Sequence, residues 1–376
     1  MFSMHKEIVV LLDFLFLGAG LLSAGQDAGL LTAAHHMHEP RASHTATVLA
    51  GGRVLITGGF RKGPDGYSQL YSRTAELFDP RTRAFVLTGE MHTKRSGHTA
   101  TLLPGGKVLI AGGKVLIAGG FTPEGLTASM ELYDPATGLF TRAGAMLAPR
   151  GGFTATPLPN GNVLLVGGGD RVATASAELF LTSSGLCAAT GSLSTPRVGH
   201  TATLLPNGRV FMAGGWDGDR VLASTEIYDP ATGTFSDAGS MHVPRYKHAT
   251  VLLSDGHVLI LGGSDEGDWR GQYRSSEVYD WRPGKFTASV DLISKRFKFP
   301  SAVIRLPGGD VAVCGGSRII EVFDFLSKSY KAVAELDRPY YYAAAVLLEG
   351  NGVLITGGYD DKIAATNRAW LLTQQR

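Results

Sequence analysis

The sequence predicts an all-β protein, a ring of seven four-stranded antiparallel blades closed by a strand from near its start. Three observations carry this. A short apolar run ends in a Gly-Gly pair beginning at Gly58, Gly119, Gly167, Gly214, Gly262, Gly315 and Gly357, at intervals of about 50 residues. Around each pair lie the same hairpin and turn signals. The seventh unit is one strand short, and a segment ahead of the first unit matches the missing strand.

The unit around Gly214 shows each element. Strand A covers residues 199–205, the turn is Pro206-Asn207-Gly208-Arg209, and strand B covers 210–213. Asn-Gly tolerates the positive φ angles of a tight hairpin, so A and B pair antiparallel. Gly51-Gly52, Gly105-Gly106, Asn160-Gly161, Asp255-Gly256 and Gly308-Gly309 hold that place in other units. Strand C is Glu226-Ile227-Tyr228-Asp229, ending in an Asp-Pro turn at residues 229–233, where proline's fixed φ and the aspartate side chain both favour the bend. Strand D covers 235–241. Four such strands cannot bury both faces alone, so units must stack.

In the last unit strands A, B and C fall at residues 341–348, 353–356 and 367–372, with no strand D after them. Residues 30–37 align with the strand D sequence 234–241, so the N-terminal segment is expected to complete the last blade and remove two open sheet edges.

These features resemble the kelch repeat family. The resemblance rests on an Arg and a His opening strand A (Arg41/His44, Arg95/His98, Arg197/His200, Arg245/His248), the double glycines, and the strand C aromatic with its Asp-Pro turn. It runs from about residue 30 to the end. Three units depart from it, with Phe153, Phe299 and Tyr341 at the expected His position, and the last unit has Arg368 where strand C should carry Glu.

With 376 residues, 44% of them hydrophobic, and 50 glycines, residues 26–376 are read as one large domain. A net charge of +2 without long Lys/Arg runs argues against a nucleic-acid partner. Cys187 and Cys314 fall in units three and six, too far apart around a ring for a disulfide. Residues 1–25 read as a signal peptide or an N-terminal extension. Lys6 precedes an apolar stretch, residues 8–22, and Ser23-Ala24-Gly25 offers a small-residue cleavage site, although Glu7 and Asp13 are unusual in a leader. The stretch is shorter than the roughly 20 residues of a membrane span, so no transmembrane segment is expected. The expectation is a secreted or periplasmic, monomeric propeller, with a cytoplasmic location as the alternative.

Residues 107–113 and 114–120 are the same seven residues, Lys-Val-Leu-Ile-Ala-Gly-Gly, in tandem. The turn Pro104-Gly105-Gly106 leads into the first copy, which is expected to form strand B while the second forms a loop; the alternative is that the second copy pairs and the first is looped out.

Topology places the D-to-A and B-to-C connections on one face and the short, repetitive A-to-B and C-to-D turns on the other. Variable loops on a rigid scaffold are where binding usually resides. The varied face collects Tyr67, Trp216, Arg220, Trp269, Arg270, Arg338, Tyr340 and Tyr359, residue types enriched in binding hot spots. An Arg precedes strand A in every unit, and in six units a strand C Glu accompanies it, including Arg95 with Glu131, Arg197 with Glu226 and Arg245 with Glu277. A guanidinium is suited to bidentate carboxylate pairing, so these are expected to be structural staples. Arg338 lacks such a Glu and is the candidate free, ligand-facing guanidinium. The four histidines belong to four different units and are read as structural, with no metal or other cofactor site expected.

The reading is a non-catalytic scaffold that recognises a protein or carbohydrate ligand, which the resemblance implies and composition alone does not. The alternative is a sugar-active enzyme on a kelch propeller, either mutarotase-like, which needs only placed acid and base groups, or a copper oxidase resembling galactose oxidase. The copper family implies Tyr and His ligands, an adjacent Tyr-His pair and a Tyr crosslinked to Cys. This sequence has no Tyr-His dipeptide, and Cys187 has no evident partner.

Overall fold

The computed structural model describes residues 30–66, 68–104, 113–170 and 172–373. Seven four-stranded antiparallel sheets follow one another in a ring. In blade 4 the order from the axis outward is Thr201–Leu204, Val210–Ala213, Ser224–Asp229 and Thr234–Ser240, and the other blades repeat it. Among the described residues there is no helix, and so none long and apolar enough to cross a membrane.

Leu30–Ala33 pairs antiparallel with Ala369–Thr373, in register Leu31 to Leu372 and Ala33 to Trp370, and supplies the outer strand of blade 7. Backbone bonds from Ala34 N to Ala369 O (2.9 Å) and Met37 N to Asn367 O (2.8 Å) carry the clasp past the strand itself. The ring is therefore shut by a pairing between the two ends of the described chain.

The core lies between blades. Strand B of each blade is buried on both faces, as in Val54–Thr57, Val163–Val166 and Val258–Leu261. Phe211 and Ala213 of blade 4 pack on Val258, Ile260 and Tyr279 of blade 5, with Phe211 stacked on Tyr279 at 4.3 Å. A fully buried side chain of this size contributes about 1.5–3 kcal/mol, so the inter-blade layers, not the isolated sheets, hold the ring.

One face is built from repeated turns. Leu205 N bonds Arg209 O across the A-to-B turn, and Leu49, Leu158, Leu253, Leu306 and Leu348 do likewise in their blades. The C-to-D turns of blades 1, 2, 4, 5 and 6 are capped by an aspartate whose Oδ1 accepts a backbone N–H two residues on, as Asp229 does from Ala231 at 2.9 Å.

The duplicated heptad corrects one expectation. Strand B of blade 2 is Val115–Ala118, from the second copy. Lys114 takes the place of Arg209, its carbonyl accepting Leu103 N at 2.9 Å. Residues 105–112, and with them nearly all of the first copy, lie outside the described residues. The choice follows from what comes next. In several blades the residue after the double glycine bridges the residue after the Arg, as in Ala42 with Phe60, Val198 with Trp216 and Tyr246 with Ser264. Phe121 after the second copy meets Ser96 in this way, whereas after the first copy Lys114 would stand there.

Candidate functional site

The conserved features of the repeat meet at a single stitch. Arg197, fully buried, donates Nη1 to Gly214 O (2.6 Å) and Ser224 O (3.1 Å), and Nη2 to Glu226 Oε1 (2.8 Å). Glu226 Oε2 accepts Ser194 N at 2.8 Å. The Arg carbonyls then join the blades, Gly215 N donating to Arg245 O at 3.0 Å. Gly214 has φ of +60°, and a Cβ there would lie 2.3 Å from Arg245 O, so both backbone and space demand glycine. Ion pairs Arg41–Glu76, Arg95–Glu131, Arg150–Glu178, Arg245–Glu277 and Arg296–Glu321 repeat the arrangement.

Blade 7 departs from it, and the alignment of that unit is corrected by two residues at each of three positions. The carbonyl that accepts Gly316 N is that of Tyr340, which therefore occupies the Arg position in place of Arg338. Trp370, paired opposite Ile355 as Glu76 is opposite Ile56, occupies the Glu position in place of Arg368. The ion pair is replaced by an aromatic pair, Tyr340 against Trp370 with centroids 4.9 Å apart. Ala343, not Tyr341, takes the His position, its Cβ facing Gly358 as that of His44 faces Gly59. Tyr340 is only 2% exposed and packs inside the blade instead of facing a ligand. Arg338 is exposed but not unpaired, bonding Asp360 at 3.0 Å and Asp337 at 3.2 Å.

The histidines join neighbouring blades. His44 Nε2 bonds Thr356 Oγ1 (2.9 Å), His98 bonds Thr57 (3.0 Å), His200 bonds Thr154 (3.1 Å) and His248 bonds Thr201 (3.0 Å). Burial, and secondarily the adjacent Arg charge, depresses all four, His44 and His200 to about 3, so they are neutral.

On the varied face, the residues one turn before strand A ring the mouth of an axial channel. Ser43, Gly97, Gly152, Gly199, Lys247, Lys298 and Tyr342 all have φ between 49° and 64°. Their backbones bond from blade to blade around the axis, for example Lys247 N to Gly199 O (3.0 Å), Lys298 N to Lys247 O (2.8 Å) and Ser43 N to Tyr342 O (3.0 Å). Four of the seven carry little or no side chain, and the remaining three crowd one side with two ammonium groups and a phenol. The channel below has a volume of about 560 Å³, and Thr45, Thr99, Thr154 and Thr201 are among the residues lining it.

Asp268 closes the charged side. Its Oδ1 accepts Lys247 Nζ (2.8 Å) and Tyr246 OH (3.0 Å), and its Oδ2 accepts Lys298 Nζ (2.9 Å). Burial alone would raise the Asp268 carboxyl, but the bonds from Lys247 and Lys298 hold it below its usual range. Lys298 is pulled down to about 8, first by burial, with its bond to Asp268 opposing and the charge of Lys247 reinforcing.

Trp269, the next residue, reaches from blade 5 across blades 6 and 7. It meets Phe297 and Tyr341 edge-on at 5.0 and 4.8 Å, has Lys298 Nζ 4.2 Å from its ring, and keeps 38% of its surface exposed. Tyr359, 5% exposed, lies beneath in the same cluster. The loop is shaped by Gly271, where a Cβ would strike Asp265 Oδ1.

Of the remaining candidates, Trp216 is half-buried between Val198 and Val221, Arg220 is exposed beside Asp217 at 3.5 Å, Arg270 is exposed, and Tyr67 lies outside the described residues. Sequence reasoning missed Lys247, Asp268 as a mouth residue, Lys298 and Tyr342. The available signal was a non-glycine residue at the place where other units have Gly97, Gly152 and Gly199.

Residues 196–242 match the Kelch motif family. No curated protein matches the chain. Among solved structures, a fungal alcohol oxidase of the AA5 family, in complex with copper, is 14% identical, with a TM-score of 0.73 over 92% of this chain and 76% of that one. At that identity the likeness is one of fold. The donor set here does not fit copper. Among the described residues no three His, Cys, Asp or Glu side chains converge, the strand A histidines bond threonines between blades, and Cys187 lies on the outermost strand of blade 3 with its Sγ 3.7 Å from Met130 Sδ.

Proposed function

We propose that this kelch-repeat propeller is a non-catalytic recognition scaffold that binds its ligand at the channel mouth and the loops around it. One observation carries the reading. A face of near-identical capped turns stands opposite a face where an open channel mouth is flanked by Trp269, Lys247, Lys298 and exposed Arg270. An aromatic anchor with a polar rim is the usual composition of a binding centre, and the cavity is within the range of small-ligand pockets.

The test is a glycan and protein-ligand screen with the full chain, followed by variants. Trp269→Ala, and separately Arg270→Ala, should weaken the interaction found. Substitutions at Asn207 or Thr232, in the turns of the opposite face, should leave affinity unchanged. A ligand that binds all four variants alike removes this face from the proposal.

A second reading is favoured by the depressed Lys298 beside Asp268, an acid and base pair at a cavity mouth such as a sugar-active enzyme would need. Faster exchange of sugar anomers, followed by NMR and lost in Lys298→Met, would replace the scaffold by that enzyme.

A further inference from the structure

We propose that the channel mouth binds a small hydroxylated carboxylate, an acidic sugar in chemical class, whose carboxyl group takes the place between Lys247 and Lys298 now held by Asp268. The inference deepens the recognition reading and rests on it.

Two lysines from adjacent blades converge on the two oxygens of one carboxylate, and Tyr246 adds a hydroxyl donor to the same group. Such charge-assisted bonds are the strong ones. The Lys298 side chain is only 7% exposed, so an anion there is required in any state of the mouth, because a buried ammonium without a partner is costly.

Asp268 supplies that anion from a loop, not from a strand. Residues 265–271 are bonded within the loop, Asp265 N to Gly271 O (3.2 Å) and Asp268 N to Asp265 O (3.1 Å), and are joined to their surroundings by Glu266 Oε1, which accepts Val221 N (2.7 Å), and by the packing of Trp269, none of which is a strand pairing. Asp268 adopts φ of +48°, a conformation that non-glycine residues rarely take. The loop can therefore withdraw its carboxylate without breaking any blade pairing, and an incoming carboxylate can take over the three donors.

The rest of the mouth suits the remainder of such a molecule. On the side away from the lysines the ring is Ser43, Gly97, Gly152 and Gly199, which leaves a crescent open into the channel. The volume accommodates a monosaccharide and excludes a folded protein.

The experiment titrates the full chain with glucuronate and with glucose, which differ at the carboxylate, and follows Trp fluorescence and calorimetry. Glucuronate should bind and glucose should bind at least about tenfold more weakly. Asp268→Asn, which removes the built-in competitor, should tighten glucuronate about tenfold, and Lys298→Met should abolish binding. Because Lys298 is buried and its replacement also tests folding, Lys247→Met, a half-buried position, provides the second variant and should also abolish binding. Asp265→Asn makes the same charge change in the same loop and should have little effect.

Equal gains in the two Asn variants, or no glucuronate binding to Asp268→Asn, overturn the proposal. Equal binding of glucose and glucuronate, lost in Trp269→Ala, would overturn the carboxylate site while leaving the recognition face intact.

Discussion

At Arg197 the guanidinium makes two bonds to carbonyls of its own blade and one to Glu226, all out of contact with water. Removing one partner of a buried pair strands the other charge, at a cost of about 3–5 kcal/mol. Arg197→Ala should therefore lower the midpoint of denaturant unfolding far more than Arg270→Ala, an exposed loop change expected within about 0.5 kcal/mol of wild type. Equal effects would mean that the stitch contributes little. The histidines add a pH term. In the unfolded chain a histidine protonates near 6.5, but His44 and His200 resist until about 3. Between those values the unfolded state binds more protons, so stability is full above 6.5 and falls as pH drops through the window. Phe153 occupies the same site in blade 3, so a phenyl ring fits there. His200→Phe should flatten the decline of melting temperature across that window, and an unchanged slope would place the acid sensitivity elsewhere.

Strands and turns set the next level. The outer strand of blade 7 comes from Leu30–Ala33, so deleting residues 1–38 opens a sheet edge and unfastens the ring. That truncated chain should lose most of its cooperative unfolding transition in calorimetry, and a wild-type melt would refute the clasp. In the same blade, Tyr340 and Trp370 replace an ion pair by aromatic packing, an exchange that is often neutral or stabilising when the volume is filled. Trp370→Glu alone should be strongly destabilising, and adding Tyr340→Arg should recover part of the loss, a coupling readable from a double-mutant cycle. The heptad is a length question. Pairing of the second copy leaves the connection between strands A and B of blade 2 seven residues longer in sequence than that of the other blades, and lengthening a connection costs little. Deleting residues 107–113 joins Gly106 to Lys114 and restores the turn length of the other blades. The shortened protein should melt at or above the wild-type temperature.

Across the whole molecule the blades meet at the axis. The seven αL positions surround one channel, so a change of side chain at any of them alters a single shared mouth, and in this chain Lys247, Lys298 and Tyr342 make it one-sided. By itself the sequence determined the all-β class, the seven units, the strand order within each and the closing strand, because alternation, turn residues and double glycines act locally and repeat. It also named the Arg and Glu of six stitches, because both residue types recur in each of those units although their separation varies. It misplaced Arg338, Tyr341 and Arg368, since an arginine two residues upstream drew the alignment away from Tyr340, which stands 17 residues before Gly357 as Arg197 stands before Gly214 and which the backbone bond from Gly316 identifies. It favoured the first heptad copy, since two identical strands are indistinguishable until Phe121 must meet Ser96. The mouth itself was decided by tertiary structure alone. Lys247, Asp268 and Lys298 lie far apart in sequence, and only the packing of blade 6 against blade 5 lets one loop of blade 5 neutralise two ammonium groups that neighbouring blades aim at the same point.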